Sequence, residues 1–336
     1  MMTEKVSLPE NAAHFPQAVA AWGQSELDAM LACLADPEKP AIEVDDAARR
    51  EQLMELARVH GVDSIVWRKF GGGLGTAGDQ EMLHRIGQAM LLNRLRLEID
   101  AAFAAGGVQA SVVKGPVFAA KLYGVRGDRL YTDIDLMVKP GALERANAVM
   151  RQLGYVREDG GEGLRRSLEY KFAHPDYRHV LIELHGDMVH YPLLRRRAAF
   201  GRDELLRVGD GDAEAAGALL ATAIVHATLG HKFERLSMLV DVLQAVRHLP
   251  REDYRRFAYT LCAMRLGLEC AVCLAVTARL FHDPASAELE KLFHAGLKER
   301  FGKMLITPRT LIAAQGEAAR ASWLRRKSFR LVQYLP

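Results

Sequence analysis

Apolar residues recur at helical spacing through most of the first hundred residues of the chain. One such run predicts a helix that ends at Gly61, because glycine suits the left-handed residue after a helix. A longer helix is predicted over residues 80–105, and Gly106 ends it. The apolar residues that share one face of this long helix are Leu83, Ile86, Met90 and Leu97. Residues 1–79 are therefore predicted to form a helical amino-terminal region.

The pattern then changes to short apolar, β-branched runs that alternate with helices. The predicted strands are Val108–Val113, Thr132–Val138 and shorter runs near Tyr155, Tyr170 and Val180–Leu184. The predicted helices between them are Pro116–Tyr123 and Ala142–Leu153. After Pro192 the strand signals disappear, and amphipathic helices continue to the end with breaks at Gly230, Pro250, Pro284 and Pro308. The expected fold class is therefore α+β, with a core at 80–192 and a helical carboxyl-terminal domain at 193–336.

The composition is that of an ordinary globular protein, since 49% of the 336 residues are hydrophobic and 26% are charged. A net charge of +3 is too small for electrostatic binding of nucleic acid across the whole surface, so such a partner requires a local patch. The 4 cysteines show no disulfide framework, which favours a reducing compartment. The sequence also shows no apolar signal segment and no apolar run of membrane-spanning length. We therefore expect a cytoplasmic protein without a transmembrane segment.

Two carboxylates stand at alternate positions of the predicted strand Thr132–Val138. Side chains at i and i+2 leave a strand on the same face, so Asp133 and Asp135 are expected side by side, with Ile134 and Leu136 on the opposite face. Adjacent carboxylates on an apolar strand repel each other unless a cation lies between them, and Mg²⁺ prefers oxygen ligands. The pair therefore predicts a divalent metal site. The alternative is a strand end at which both carboxylates face water.

A strand-to-helix turn lies upstream of the aspartates, and it carries Lys114 and Gly115 before a helix that begins at Pro116. Proline suits the first position of a helix, and the unpaired backbone amides there attract anions. Gly115 permits close approach of a phosphate, and Lys114 supplies a mobile positive charge. Arg129, four residues before Asp133, is a further candidate phosphate ligand. The alternatives are a surface lysine beside a turn glycine and a solvated loop arginine.

A third carboxylate, Glu183, interrupts the apolar strand Val180–Leu184 and shares a strand face with His185. If this strand lies beside the strand of the two aspartates, the three carboxylates form an acidic trio. Such a trio holds two metal ions and polarises an attacking hydroxyl in in-line phosphoryl displacement. The alternative is an edge glutamate paired with Arg178 or Lys171.

The residues between Val112 and Val138 resemble the signature of a known family. The segment VVKGPVFAAKLYGVRGDRLYTDIDLMV is similar to the pattern K-G, L-Y and R-x-x-x-D-I-D-L-x-V of a bacterial nucleotidyltransferase-like family. That family lies within the polymerase-β nucleotidyltransferase superfamily. The resemblance continues through IELH at 182–185, is weaker over 226–242, and covers about 80–250. The turn is Lys114–Gly115 where the wider superfamily usually has Gly-Ser, so no serine hydroxyl is expected on the triphosphate.

The resemblance implies a polymerase-β-like nucleotidyltransferase core, built from a small mixed sheet flanked by helices. It implies an enzyme that uses Mg²⁺ or Mn²⁺ to move a nucleoside monophosphate from an NTP to a hydroxyl or phosphate of an acceptor. In that scheme the catalytic metal ligands are Asp133, Asp135 and Glu183, with Glu183 also a candidate for the acceptor's proton. The β and γ phosphate ligands are Lys114 and Gly115, with Arg129 as a secondary ligand.

Two other functions stay open at this point. A toxin-like nucleotidyltransferase of the abortive-infection kind has a similar K-G and D-x-D layout and acts on tRNA or protein. A non-catalytic module uses the same residues only to sense an NTP. A Glu183 within metal reach of the aspartates favours an enzyme, and one directed elsewhere favours the sensor. The sequence does not indicate the acceptor (peptide, polysaccharide precursor, metabolite or tRNA), the base preference or the oligomeric state.

Three further features carry weaker signals. The glycine-rich run at 71–75 lacks the Lys-Ser/Thr of a P-loop and is interpreted as a linker. Cys270 and Cys273 form a single C-x-x-C inside an apolar helical run, so neither zinc binding nor redox chemistry is expected. The segment 323–332 interleaves aromatic and basic residues, as suits a membrane surface or nucleic acid, or else a docked helix with solvated arginines.

Polar residues near the start of the carboxyl-terminal domain are also candidates. His226 and His231 are five residues apart, which on an α-helix directs them about 140° from each other. They are therefore expected to pack or cap and not to form a metal-binding pair. Arg235 and Asp241 belong to the resemblance, either as a buried ion pair or as contacts to the nucleotide base.

Overall fold

The fold is taken from a computed structural model of the chain. It describes residues 24–36, 44, 46–70, 76–125, 127–158, 168–293, 296–307, 311 and 318–334. The predicted linker at 71–75, the predicted helical signals before residue 24 and the predicted break at Pro308 lie outside these ranges.

The amino-terminal part of the described chain is helical, as predicted. Its helices are α1 (Gln24–Ala35), α2 (Ala47–His60), α3 (Asp63–Lys69) and α4 (Thr76–Ala105). Asp46 caps α2, because its carboxylate accepts a hydrogen bond of 2.9 Å from the backbone N–H of Ala48. Gly61 ends α2 as predicted, in the left-handed conformation at φ 66°.

A five-stranded mixed sheet follows α4. Its strands are β1 (Ala110–Val113), β2 (Asp133–Val138), β3 (Val156–Arg157), β4 (Glu169–His174) and β5 (Tyr177–His185). Helix α5 (Gly115–Lys121) lies between β1 and β2, and α6 (Leu143–Gln152) lies between β2 and β3. The spatial order is β1-β2-β5-β4-β3. Strands β2 and β5 run parallel, and the other neighbouring pairs run antiparallel.

The rest of the described chain is helical, again as predicted. The helices are α7 (Pro192–Arg197), α8 (Arg202–Val208), α9 (Ala216–Val225), α10 (Leu236–His248), α11 (Tyr254–Ala263), α12 (Gly267–Phe281), α13 (Pro284–Glu290), α14 (Leu297–Leu305) and α15 (Ala318–Tyr334). Pro284 begins α13, where the missing N–H costs nothing. None of the described helices combines the length and apolar character needed to cross a bilayer.

Two hydrophobic cores lie on opposite faces of the sheet. The sheet core packs α4 and α6 against the face that carries Ile134, Leu136 and Ile182. The helical core joins α1, α2, α3 and α5 to the carboxyl-terminal helices, and it takes Met137 from the other face of β2. The mixed sheet flanked by helices confirms the predicted α+β class. The domain boundaries at residues 79 and 192 stay predictions.

The apolar face predicted for α4 is exposed to solvent in the structure. Leu83, Met90 and Leu97 are 60%, 71% and 54% exposed. The side of α4 that packs on the sheet core instead carries Leu92, Leu95, Ile99 and Phe103. The helix has apolar residues on more than one side, so spacing alone does not determine which side packs.

Candidate functional site

The parallel pairing of β2 and β5 brings the candidate carboxylates to one end of the sheet. Asp135 lies opposite Glu183 in the strand register, and Asp133 lies two residues earlier on β2. On the other side of β2, Asp135 lies opposite Val113, the residue before Lys114. The structure therefore collects Lys114, both aspartates and Glu183 at one place.

These side chains line a cleft of about 430 Å³. This volume falls within the roughly 300–1,000 Å³ typical of ligand sites. Asp133 and Asp135 point away from the sheet core into the cleft, which residues of the carboxyl-terminal and amino-terminal helical regions also line. Other residues of its wall are Gly115, Arg129, Glu169, Lys171, His185, His190, His226, His231, Glu234 and Arg235.

Lys114 and Asp135 form an ion pair inside the cleft. The Lys114 Nζ lies 2.8 Å from Asp135 Oδ1, and both side chains are largely buried. Burial disfavours the charged form of both groups, but the attraction between the two opposite charges is stronger than this effect. The pKa of Asp135 is therefore lowered, and the pKa of Lys114 is raised. The structure thus places Lys114 on a carboxylate, whereas the sequence predicted a phosphate ligand.

The turn that carries Lys114 has an unusual backbone. Lys114 adopts φ 58°, a left-handed value that costs a non-glycine residue energy. Gly115 follows at φ 27°, and a Cβ on it would lie 3.3 Å from the backbone oxygen of Asp133. Only glycine therefore fits comfortably beneath β2. The strain at Lys114 directs its side chain to the carboxylates.

Glu183 contacts cations on both of its oxygens. Lys171 Nζ lies 2.6 Å from Oε1, and His185 Nε2 lies 3.4 Å from Oε2. Burial alone would raise the pKa of Glu183, but His185 and Lys171 hold it well below its usual range. The edge pairing with Lys171 considered as an alternative is therefore present. Glu183 nevertheless stays within metal reach of Asp135.

Asp133 carries the least compensated carboxylate of the three. Burial and the neighbouring charge of Asp135 raise its pKa to about 6. Among the described lysines, arginines and histidines, none lies within ion-pair distance of it. A carboxylate in this state is a natural cation ligand.

His185 joins the carboxylates into one network. Its Nε2 lies 2.8 Å from Asp135 Oδ1. Burial by itself would lower the pKa of the ring, but the hydrogen bonds to Asp135 and Glu183 raise it to about 9. Next to it, His190 Nδ1 lies 3.2 Å from Glu169. Glu169 and His190 were not predicted from the sequence. Period-two alternation would have placed Glu169 and Lys171 on one face of their strand, whereas no periodic pattern includes His190.

Arg129 is engaged by Asp241 and not by the acidic trio. Its Nε lies 2.9 Å from Asp241 Oδ1, and the Tyr123 hydroxyl donates to the same oxygen at 2.6 Å. Arg129 also donates to the backbone oxygen of Leu130. The partner of Asp241 is thus Arg129, and Arg235 is exposed at the cleft wall. A phosphate role for Arg129 would have to use its remaining N–H groups.

The prediction that His226 and His231 diverge is wrong. Residues His226–Gly230 form a π-helical turn, closed by a 3.0 Å bond from the His231 N–H to the His226 carbonyl. One extra residue per turn returns position i+5 to the same side, so the two rings meet edge to face at 4.7 Å. Both line the cleft. Burial and then Lys114 hold the pKa of His226 well below 6.5, so the ring is neutral.

The donor set of the cleft fits a divalent metal ion. Asp135, Glu183 and His185 offer ligand atoms within 4.8 Å of one another, and Asp133 adds a carboxylate on the same strand face. Carboxylate oxygens suit Mg²⁺, and one imidazole among them is also acceptable to Mn²⁺. Lys114, Lys171 and the protonated ring of His185 neutralise the carboxylates in the structure. A metal ion would therefore displace the two ammonium groups, and His185 would bind it only after losing its proton.

The C-x-x-C pair contributes nothing to this cleft. Cys270 and Cys273 are buried in α12. Burial raises the pKa of both thiols well above the usual value for cysteine. Buried neutral thiols are poor metal ligands and poor nucleophiles.

Comparison with known proteins supports the chemistry suggested by the cleft. Neither a curated protein nor a solved structure matches the chain significantly. Residues 46–282 match the profile of a family described as uncharacterised nucleotidyltransferases. The match includes the whole sheet, all candidate site residues and most of the carboxyl-terminal helices. The chain therefore belongs to this nucleotidyltransferase family.

Proposed function

We propose that the protein is a metal-dependent enzyme that transfers a nucleoside monophosphate from an NTP to a hydroxyl or phosphate of an acceptor. The observation that carries the proposal is the convergence of Asp135, Glu183 and His185 within 4.8 Å beside Asp133. The family match supports nucleotidyl transfer in general, and the metal, the nucleotide and the residue roles are the proposal's own content.

The proposed reaction is an in-line displacement at the α-phosphorus. The acceptor oxygen forms a bond to this phosphorus, and the bond to the oxygen bridging the α- and β-phosphates breaks. Pyrophosphate leaves with the electron pair. The proton of an acceptor hydroxyl passes to a carboxylate of the cleft, for which Glu183 remains the candidate.

Asp133, Asp135 and Glu183 would hold Mg²⁺ or Mn²⁺. A bound divalent ion supplies charge stabilisation for the phosphate oxygens and lowers the pKa of the attacking group. The low pKa of Glu183 keeps it charged at neutral pH, as a metal ligand requires.

Lys114 has two successive roles in this proposal. Without nucleotide it neutralises Asp135, and with metal and nucleotide it turns to the β- and γ-phosphates, where Gly115 leaves room for them. An ammonium on a flexible stem can exchange one oxygen ligand for another at small cost. Arg129 is proposed mainly to position the loop before β2 through Asp241.

Calorimetry with Mg²⁺ and a nonhydrolysable NTP tests this site. The parent should bind, and the double variant Asp133→Asn with Asp135→Asn should not, because it removes two charges that the metal needs. Glu144→Gln on α6 is the matched control, since it removes a carboxylate outside the cleft. Unchanged binding by the double variant would contradict the metal assignment.

The sensor function is the second candidate, because the ion pairs at Asp135 and Glu183 are also what a site without catalysis could contain. A sensor binds the NTP and labels no acceptor. The toxin-like enzyme differs by its acceptor, so growth arrest on expression and labelling of tRNA or protein would identify it.

A further inference from the structure

A second cleft of about 310 Å³ adjoins the first. The two share wall residues Gly230, His231 and Glu234. The second cleft lies between the loop after the π-helical turn and helix α15. We call it the basic cleft, and its other wall residues are Tyr191, Lys232, Trp323, Arg326, Lys327 and Arg330.

Helix α15 has two distinct faces. Arg325, Phe329 and Val332 are buried and dock the helix, at spacing i, i+4 and i+7. Trp323, Arg326, Lys327 and Arg330 stand at i, i+3, i+4 and i+7, and all of them line the basic cleft. The two interpretations of the basic tail, docked helix and binding surface, thus apply to opposite faces of one helix.

The protein neutralises only part of the positive charge of the basic cleft. Its acidic residue, Glu234, already pairs with His231 at 3.2 Å and with Arg326 at 3.5 Å. Among the described carboxylates, none lies within ion-pair distance of Lys232, Lys327 or Arg330. The cationic groups of Lys232 and Arg330 both stack on the Tyr191 ring, 4.5 Å and 3.8 Å from its centroid.

Lys232 shows how crowded these cations are. Only 3% of Lys232 is exposed, and its Nζ donates hydrogen bonds of 3.1 Å to the backbone carbonyls of Leu229 and Gly230. Burial, with Arg330 and Arg326, lowers its pKa to about 8. Lys232 and Phe233 also take left-handed φ values of 53° and 61°. This strained loop holds a cation against other cations, an arrangement that a bound anion would stabilise.

We infer that the basic cleft binds the acceptor of the proposed transfer and that this acceptor carries phosphate groups. The inference rests on the proposed function. Lys327 and Arg330, which have no carboxylate partner among the described residues, provide phosphate ligands, and the buried Lys232 adds positive charge beside them. The shared wall of Gly230, His231 and Glu234 leads from them to the acidic trio. Trp323, 52% exposed at the edge of the cleft, offers a stacking surface to a planar base.

Two probes test the inference on the full chain: a labelled pentauridylate and inorganic tripolyphosphate, each titrated at fixed salt. The cleft variant is Arg326→Glu with Lys327→Glu, both in α15 and not fully buried. The control is Arg255→Glu with Lys291→Glu, which makes the same charge change at exposed positions outside both clefts. The cleft variant should weaken probe binding about tenfold or more relative to the control.

Trp323→Ala separates the sources of phosphate. Weaker pentauridylate binding with unchanged tripolyphosphate binding would assign the cleft to the end of a nucleic-acid strand. If tripolyphosphate binds more weakly to the cleft variant than to the control, and Trp323→Ala changes the binding of neither probe, the cleft is assigned to a small phosphorylated acceptor. Binding of neither probe, equal binding by the cleft and control variants, or binding only to anionic lipid vesicles would overturn the inference.

Binding of Mg²⁺ with a nonhydrolysable NTP is measured in the same variants. The inference predicts that it stays within about twofold of the parental value in the cleft variant, because the acidic trio is unchanged. If the cleft variant binds the probes as the control does and NTP binding persists, the inference alone is contradicted. If the cleft variant binds the probes more weakly but the protein binds no NTP, the proposed function is contradicted instead.

Discussion

At the scale of single residues, the candidate site pairs carboxylates with cations of the protein itself. Lys114 lies on Asp135 and Lys171 lies on Glu183, while Asp133 keeps a raised pKa. In the proposed function, a divalent ion would have to displace the ammonium groups. The lysines would therefore set how tightly the ion binds before a nucleotide arrives.

Lys114→Ala should make the protein less stable and more responsive to Mg²⁺. Loss of a buried ion-pair partner costs about 3 kcal/mol, since Asp135 keeps its bond to His185. Mg²⁺ at about ten times its Kd should return roughly 1.4 kcal/mol by binding the vacated carboxylate. Urea unfolding with and without Mg²⁺ measures both effects.

Lys121→Ala is the matched control for that measurement. Lys121 ends α5, the helix that follows Lys114, and both it and its partner Glu214 lie at the surface. The control should show no measurable change in stability or in its response to Mg²⁺. An equal Mg²⁺ response in the parent and in Lys114→Ala would mean that Lys114 does not compete with a metal.

At the scale of elements, the strands of the site and the position of its strand-to-helix turn were predictable, whereas the backbone conformation of the turns was not. Period-two alternation indicates that Asp133 and Asp135 share a face and that Glu183 lies on a strand of the same kind. The ion pair of Lys114 depends on a left-handed backbone angle that no periodicity reveals. The meeting of His226 and His231 depends on one additional residue in a helical turn.

Helix α2 carries a titration that should show in the stability of the fold. His60 is buried, and neither ring nitrogen has a hydrogen-bond partner. Burial, with Arg325 and Arg235, lowers its pKa from 6.5 to about 4. Between these values the unfolded chain binds a proton that the folded chain does not, so stability falls as the pH falls from 6.5 towards 4.

This contribution is about 3 kcal/mol, from 1.36 kcal/mol per pH unit. His60→Leu should therefore lose about 3 kcal/mol less than the parent between pH 7 and pH 4 in urea unfolding. His84→Gln, at an exposed histidine of α4, should keep the parental pH dependence. The same pH dependence in His60→Leu and in the parent would show that His60 takes up its proton in the folded state.

At the scale of the whole molecule, the sheet and the carboxyl-terminal helices build two clefts that meet at one loop. The first cleft, which we call the acidic cleft, lies on the sheet, where sequence patterns are strong. Its carboxylates Asp133, Asp135 and Glu183 were predicted, whereas Glu169 and Glu234 were not. The basic cleft is formed by residues about ninety positions apart, such as Lys232 and Lys327. No local pattern brings such residues together, and only the packing of α15 reveals the cleft.

The central claim is that the acidic cleft transfers a nucleoside monophosphate. The most direct test gives the pure protein α-labelled or γ-labelled NTP, Mg²⁺ and a cell extract, and compares the parent with Glu183→Gln. Glu144→Gln on α6 is the control, since it removes a carboxylate outside the cleft.

In the parent and in the control, the α label should appear on an acceptor and the γ label in pyrophosphate. Glu183→Gln should bind the NTP as the parent does. Its rate of nucleotidyl transfer should fall by about 100-fold or more, because the lost charge acts in the transition state. Transfer by Glu183→Gln at the parental rate, or a parent that binds the NTP and labels no acceptor, would contradict the account.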